Sequence, residues 1–155
     1  LVEQDSALWD QEMIAEAEFA LLRAKDAGRI GRFQLEAAIQ SAHVERVRHG
    51  TVDWSAVVHL YDALVELTRS PVAEINRAMA FAELEGPHAG LYALEWVKAD
   101  KRVNTYQPYW AVRANLLARV GKTCEAREAY GIAIGLENDT AVRSYLQQAC
   151  DALPG

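Results

Sequence analysis

The feature that most constrains the fold is a repeat of about 36 residues, visible in the small side chains. Three alanines and three glycines recur at this interval: Ala42, Ala78 and Ala114 at steps of 36, and Gly50, Gly86 and Gly121 at steps of 36 and 35. Each alanine falls within a stretch of helical periodicity, and each glycine lies near the end of one. A period of this length is too short for a domain and suits a unit of two helices. The sequence therefore predicts stacked helix pairs.

The stretch YWAVRANLLARVGKTCEAREAYGIAI (residues 109–134) contains the clearest unit. Its spaced residues form two helical stripes on either side of Gly121, namely Trp110, Ala114 and Leu117 before it and Ala126, Tyr130 and Ala133 after it. Tyr61 follows Gly50 much as Tyr130 follows Gly121. Alanine allows two helix backbones to approach, an aromatic ring fills the space beside it, and glycine permits a tight turn. Such units are typical of tetratricopeptide arrays, and we expect at least three of them here.

Eight helices are predicted, and no stretch shows the alternation of a strand. The first two span about residues 5–27 and 32–48, the third follows Asp53, the fourth begins at Pro71, the fifth follows Gly86-Pro87, the sixth runs from about residue 107 to Gly121, the seventh spans about 123–136, and the last follows Asn138-Asp139-Thr140. Asp53 and Ser70 are predicted N-caps, and Pro71 suits a first helical position. The first helix, with Trp9, and the last, with Val142, would cap a right-handed superhelix. We expect an all-α chain that forms one domain over residues 1–155.

Composition and charge argue against several classes of function. Hydrophobic residues make up 51% of the chain and the formal net charge is −6, which argues against direct binding of nucleic acid by this segment. No apolar run reaches membrane-spanning length, and there is no secretory leader. The chain begins at Leu1 and not Met, which suggests a C-terminal fragment of a longer protein. These features predict a cytoplasmic location.

No constellation of residues indicates catalysis. The histidines His43 and His49 straddle a helix end at a poor spacing for a shared metal, and no HExxH, CxxC or GxSxG pattern occurs. Cys124 and Cys150 are compatible with a disulfide or with two reduced thiols. We therefore expect no catalytic residue, no metal and no cofactor.

Five polar residues interrupt the apolar pattern: Gln34, Glu74, Asn76, Arg77 and Arg113. Because Arg77 and Arg113 are 36 apart, they occupy the same place in successive repeats. These residues could line a groove that binds a peptide, or they could form an internal network that fixes the register between repeats. The flanking alanines favour the internal network. A pocket lined by Tyr106, Tyr109 and Trp110 that senses a small molecule is a further alternative.

Six motifs in this order and spacing resemble the helical C-terminal extension of a group of bacterial extracytoplasmic-function RNA polymerase sigma factors. They cover almost the whole chain: QDSALWD (4–10), FQLEAAIQSAH (33–43), DWSAVVHLYDAL (53–64), SPVAEINRAMA (70–80), GPHAGL (86–91) and RANLLARVGKTCEAREAY (113–130). Two features depart from the pattern. His43 is followed by a more basic VERVRHG, and Gly135 weakens a helix end.

The resemblance implies a role in transcription initiation but assigns no functional residue to this chain. Such sigma factors bind core RNA polymerase and promoter DNA through two helical regions that precede the extension, and neither region is present here. The extension is implied to be tetratricopeptide-like and to regulate the sigma factor in place of a separate anti-sigma protein. The expected partners are the upstream sigma regions, RNA polymerase or a regulatory protein, with promoter DNA contacted only by the upstream regions and no membrane contact. A general peptide-binding module is the alternative.

Overall fold

The computed structural model describes residues 31–49 and 52–154, and all regular structure in them is helical. The α-helices are α1 (Arg32–His49), α2 (Trp54–Thr68), α3 (Pro71–Leu84), α4 (Pro87–Val97), α5 (Gln107–Arg119), α6 (Thr123–Leu136) and α7 (Thr140–Asp151). The described residues contain no strand, so the all-α prediction is confirmed. The predicted helix over residues 5–27 and the predicted turn at Gly50 lie outside the described residues.

The helix ends follow the local signals in the sequence. The Asp53 side chain accepts a hydrogen bond from the Ala56 backbone N–H at 3.0 Å, which caps α2 as predicted. Helices α3, α4 and α5 each have proline in the first two positions, where the missing N–H costs no intrahelical bond. Ser70 stands at the N-cap of α3, but its side chain makes no capping hydrogen bond. The proline therefore marks the start of α3 more reliably than the serine.

Two glycines make the turns inside the helix pairs. Gly86 has a φ of +97° ahead of α4, and Gly121 has a φ of +79° after α5. After Gly121, the Lys122 N–H reaches back to the Leu117 carbonyl at 2.9 Å, which is the closing bond of a Schellman turn. A side chain at either position would strain the backbone, so these glycines set where each helix pair turns.

A 3₁₀-helix over Lys101–Thr105 connects α4 to α5 and was not predicted. The Asp100 side chain accepts a hydrogen bond from the Arg102 N–H at 2.9 Å and so caps it. Val103, in the middle of this short helix, is fully buried. The connection is therefore part of the packed structure.

The chain divides into two compact units, Leu1–Arg69 and Ser70–Gly155. In the first, α1 packs against α2, and the buried side chains include Leu35 and Ile39 on α1 and Val57, Tyr61 and Leu64 on α2. His43 meets Trp54 edge to face, with ring centroids 6.1 Å apart. A single domain over residues 1–155 stays a prediction.

The second unit consists of two helix pairs and a last helix. Helix α3 packs along α4, α5 packs along α6, α5 also contacts α3 and α4, and α7 covers part of α6. One core cluster is formed by Ile75, Ala78, Ala82, Leu94, Val97, Val103, Tyr109 and Leu116. A second is formed by Ala114, Leu117, Ala126, Ala129, Tyr130, Ala133 and Leu146. Leu91 and Trp110 pack against both clusters, which makes the core continuous from α3 to α7.

Candidate interaction surface

The two helix pairs of the second unit bury corresponding positions. Ala78 on α3 and Ala114 on α5 are 36 residues apart, and both are 0% exposed. On the second helices the same offset relates Gly90 to Ala126, Leu94 to Tyr130 and Val97 to Ala133, and all six residues are buried. Equal burial at equal spacing means that each pair uses the same faces of its helices for packing. The remaining faces are free to carry other groups.

Gly90 on α4 leaves no room for a side chain against α3. A Cβ atom at this position would lie 2.7 Å from the Ala82 Cβ and 2.8 Å from the Ala78 carbonyl oxygen. Both neighbours are fixed to a helix backbone, so neither can move aside cheaply. The sequence analysis missed this residue, although its offset of 36 from Ala126 was a usable signal.

The residues predicted to pack the repeats occupy different environments. Within the second unit Leu117, Ala126, Tyr130 and Ala133 lie in one core cluster, and Trp110 packs against it while its indole N–H donates to the Asn104 carbonyl at 3.0 Å. In the first unit Tyr61 is buried, whereas Ala42 is only partly buried. The alanine of the first repeat therefore does not reproduce the enclosure of Ala78 and Ala114.

Of the five predicted polar residues, Gln34 belongs to the first unit, and Glu74, Asn76, Arg77 and Arg113 belong to the second. Gln34 turns back on its own helix, where its Oε1 accepts a hydrogen bond from the Gly31 N–H at 3.1 Å. Asn76 is exposed, Glu74 is partly buried, and Arg77 is partly buried with its Nε atom enclosed.

Arg113 forms an ion pair between α5 and α4. Its Nη1 donates to Glu95 Oε1 at 2.8 Å, and its side chain is largely enclosed while that of Glu95 is 53% exposed. The bond to Arg113 lowers the pKa of Glu95, and burial is the main influence that raises the pKa of the neighbouring Tyr109. The hydroxyl of Tyr109 is buried beside this pair. Arg113 therefore braces α5 against α4 and does not line an open groove.

Several further ion pairs were not predicted, among them those of Arg119 and Arg102. Arg119 on α5 donates to Glu83 on α3 at 2.6 Å, and these residues are also 36 apart. Arg102 donates to both carboxylate oxygens of Asp100, a bond that raises the pKa of the arginine and lowers that of the aspartate. Glu83 and Arg119 thus occupy equivalent positions of the two helix pairs, carry opposite charges and join α3 to α5.

The most exposed aromatic residues of the second unit lie together on α4. Tyr92 and Trp96 are each 70% exposed, and their rings meet edge to face with centroids 6.4 Å apart. They are one helical turn apart, so they form a single patch. The sequence analysis did not select them, since periodicity alone treats any aromatic residue in a helix as a core candidate.

The acidic charge is unevenly distributed along the chain. Residues 1–69 hold 12 of the 22 acidic side chains and 7 of the 16 basic ones, whereas residues 70–155 hold 10 acidic and 9 basic ones. In the second unit several of these charges are paired, as at Glu83, Glu95 and Asp100. The acidic excess in composition therefore lies mainly in the first 69 residues.

No group of three or more His, Cys, Asp or Glu side chains in residues 31–49 and 52–154 could hold a metal ion. Cys124 and Cys150 are free thiols, which settles the alternative left open by the sequence. None of the described helices has the length and apolar character needed to cross a bilayer.

Comparison with known proteins gives one informative match. The chain is 37% identical over 153 residues to an uncharacterized protein of Rhizobium meliloti (strain 1021), and the match covers 99% of this chain. It covers 36% of that protein, so the chain spans about a third of the length of its relative. No family model matches the chain, and no solved structure matches it.

Proposed function

We propose that this chain is a non-enzymatic regulatory domain that binds proteins and acts within an extracytoplasmic-function RNA polymerase sigma factor during transcription initiation. Its helix pairs stack as a right-handed, tetratricopeptide-like superhelix. The observation that carries the proposal is the correspondence between α3–α4 and α5–α6, in which Ala78 and Ala114 are both fully enclosed 36 residues apart. Stacks of this kind serve as extended binding surfaces.

The arrangement of charged groups supports binding over catalysis. Glu83, Glu95 and Asp100 each form an ion pair with an arginine. Such pairs hold neighbouring segments of the chain together. A carboxylate that acts as a general acid needs a pKa shifted toward neutrality, whereas the pKa values of Glu95 and Asp100 are shifted down. The exposed groups of α4 are then available to a partner.

The regulatory step would be reversible shielding. The sigma regions that bind promoter DNA must present basic surface to the phosphate backbone. The net charge of −6 attracts such a surface electrostatically, and docking on this chain would lower its availability until another protein displaced it. RNA polymerase or a regulatory protein would be that competitor, and promoter DNA would be contacted only by the upstream regions.

The test is a binding titration between this chain and the upstream sigma regions supplied as a separate chain, with salt concentration varied. We expect association that weakens as salt increases, because charge attraction contributes to it. Deleting the domain from the full-length sigma factor should also change transcription from its promoters. The proposal fails if there is no association at any ionic strength and deletion leaves transcription unchanged.

A further inference from the structure

Helix α7 is the least buried helix of the second unit. Of its residues, all of which the structure describes, Leu146 is the one that is buried. Ala149 and Cys150 are partly buried, and the apolar Val142 and Tyr145 are 39% and 58% exposed. Helix α6, in contrast, buries four residues. The attachment of α7 to the unit therefore depends on a small contact centred on Leu146.

This contact covers Tyr130 of α6. Leu146 shares a core cluster with Tyr130 and with three alanines of the same helix, and Ala149 and Cys150 pack against that cluster. Burial is the main cause that raises the pKa of Tyr130, and Tyr145 and Cys150 contribute to the shift, so the phenol lies beside α7. Departure of α7 would therefore remove part of the cover of this ring.

Arg127 of α6 holds the segment that follows α7. Its Nη2 donates to the Leu153 carbonyl and to the Pro154 carbonyl, both at 3.0 Å. These bonds tie the far end of α7 back to the first half of α6. At the near end, the connection from α6 makes local bonds, in which Glu137 accepts from the N–H groups of the next two residues. Because those bonds lie within the connection itself, they need not break when α7 moves away.

A helix of this length depends on its docking. Isolated helices shorter than about 12–15 residues are marginal in water, and α7 has 12 residues. Segments that bury few apolar side chains open at a lower free energy than the core that they cover. Loss of the contact with α6 would thus release α7 and uncover Tyr130 in one step.

We propose that α7 is a lid that opens and closes on α6 as a separate unit, with Arg127 as its latch. In the closed state Leu146 and the two carbonyl bonds of Arg127 hold the lid. In the open state helices α3 to α6 stay folded, and α6 presents Tyr130 and the surrounding alanines as an apolar surface. The inference goes beyond the proposed function, since it concerns a motion within the chain and holds whichever protein the chain binds.

Native-state hydrogen exchange of the whole chain tests the opening. We expect the α7 amides to be at least about tenfold less protected than the most protected amides of α4 and α5, and to depend less on denaturant. Leu94→Ala, in the core of α4, should speed exchange of those core amides at least about tenfold and leave the α7 amides unchanged, because the lid opens without the core. Leu146→Ala should speed exchange of the α7 amides at least about tenfold.

Two results would overturn the lid. One is equal protection of the α7 and core amides in the wild type, a comparison that decides the matter alone if a variant does not fold. The other is an acceleration of the α7 amides by Leu94→Ala as large as that of the core amides, which would make α7 part of one cooperative unit.

The latch is tested by Arg127→Gln, with Arg143→Gln as the matched control. Arg143 is an exposed arginine on α7 itself, and glutamine has nearly the same helix propensity as arginine. Arg127→Gln should speed exchange of the α7 amides about fivefold, the effect of losing about one net hydrogen bond. Arg143→Gln should leave it unchanged. Equal effects of the two variants would overturn the role of Arg127.

Discussion

Where α6 places Ala126, Tyr130 and Ala133 against its partner helix, α4 places Gly90, Leu94 and Val97 at the same spacing. One pair thus sets a large ring between two methyl groups, and the other sets two aliphatic side chains beside a glycine. Cores accept such exchanges when the total volume and the pattern are kept. The comparison teaches that the repeat conserves which positions are buried, while the size of the side chain at each position is free to vary.

Leu94 is fully buried between α4 and α3, so its truncation should have the largest effect on stability. Replacing Leu94 by alanine should lower the free energy of unfolding by about 2–5 kcal/mol, because the side chain is fully buried and its removal leaves a cavity. Chemical denaturation measures this directly. Leu84→Ala, at an exposed position of α3, is the control and should change stability by less than about 1 kcal/mol. Similar losses for the two variants would mean that the positions are not differently packed.

Substitution of Gly90 tests how tightly α4 packs against α3. Gly90→Ala should lower the free energy of unfolding by about 1–3 kcal/mol, since the new methyl group would meet the Ala78 carbonyl and Ala82. Ala126→Gly, the reverse exchange in α6, should cost about 1 kcal/mol through helix propensity, together with the loss of a buried methyl group. A stabilising Gly90→Ala would show that α3 and α4 lie farther apart than described.

Gly131 offers the opposite outcome within the second pair. A methyl group there would meet nothing within 4 Å, and the residue lies in the interior of α6. Gly131→Ala should therefore raise the free energy of unfolding by about 0.5–1 kcal/mol, because alanine loses less conformational entropy in a helix. Thermal unfolding of this variant beside Gly90→Ala should show shifts of opposite sign. Two shifts of the same sign would contradict the assigned packing.

The ion pair between Glu95 and Arg113 should have the smallest effect. A double-mutant cycle with Glu95→Gln and Arg113→Gln should give a coupling of about 0.2–1 kcal/mol, because Glu95 is half exposed. The pKa of Glu95 is lower in the folded state than its usual 4.5, so the stabilisation is complete above that pH and is lost as the pH falls through the folded value. Unfolding measured along an acid titration should lose this component in Glu95→Gln. An unchanged acid dependence would show that the pair contributes nothing.

Local signals made the helices predictable, and tertiary contacts did not leave such signals. Asp53, Pro71 and Gly121 act within one turn of their own positions, so the ends of α2, α3 and α5 could be derived from the sequence. The partner of Arg113 could not, because Glu95 lies 18 residues away on another helix and nothing in the pattern distinguishes it from other surface carboxylates.

The candidate surface was harder to predict for a related reason. Tyr92 and Trp96 lie on the outer face of α4, and a helical stripe alone does not tell which face meets a neighbour. Comparing α4 with α6 at the offset of 36 would have shown Glu128 at the place of Tyr92, which marks that face as solvated. The repeat thus holds more information when its units are aligned than when each helix is considered singly.

Buried positions of the helix pairs hold the fold, and we propose that the chain binds the upstream sigma regions by charge attraction. The most direct measurement is the affinity of this chain for those regions, supplied as a separate chain, as the salt concentration is varied. We predict association that weakens as salt increases. No association of the wild-type chain at any ionic strength would contradict the proposed function.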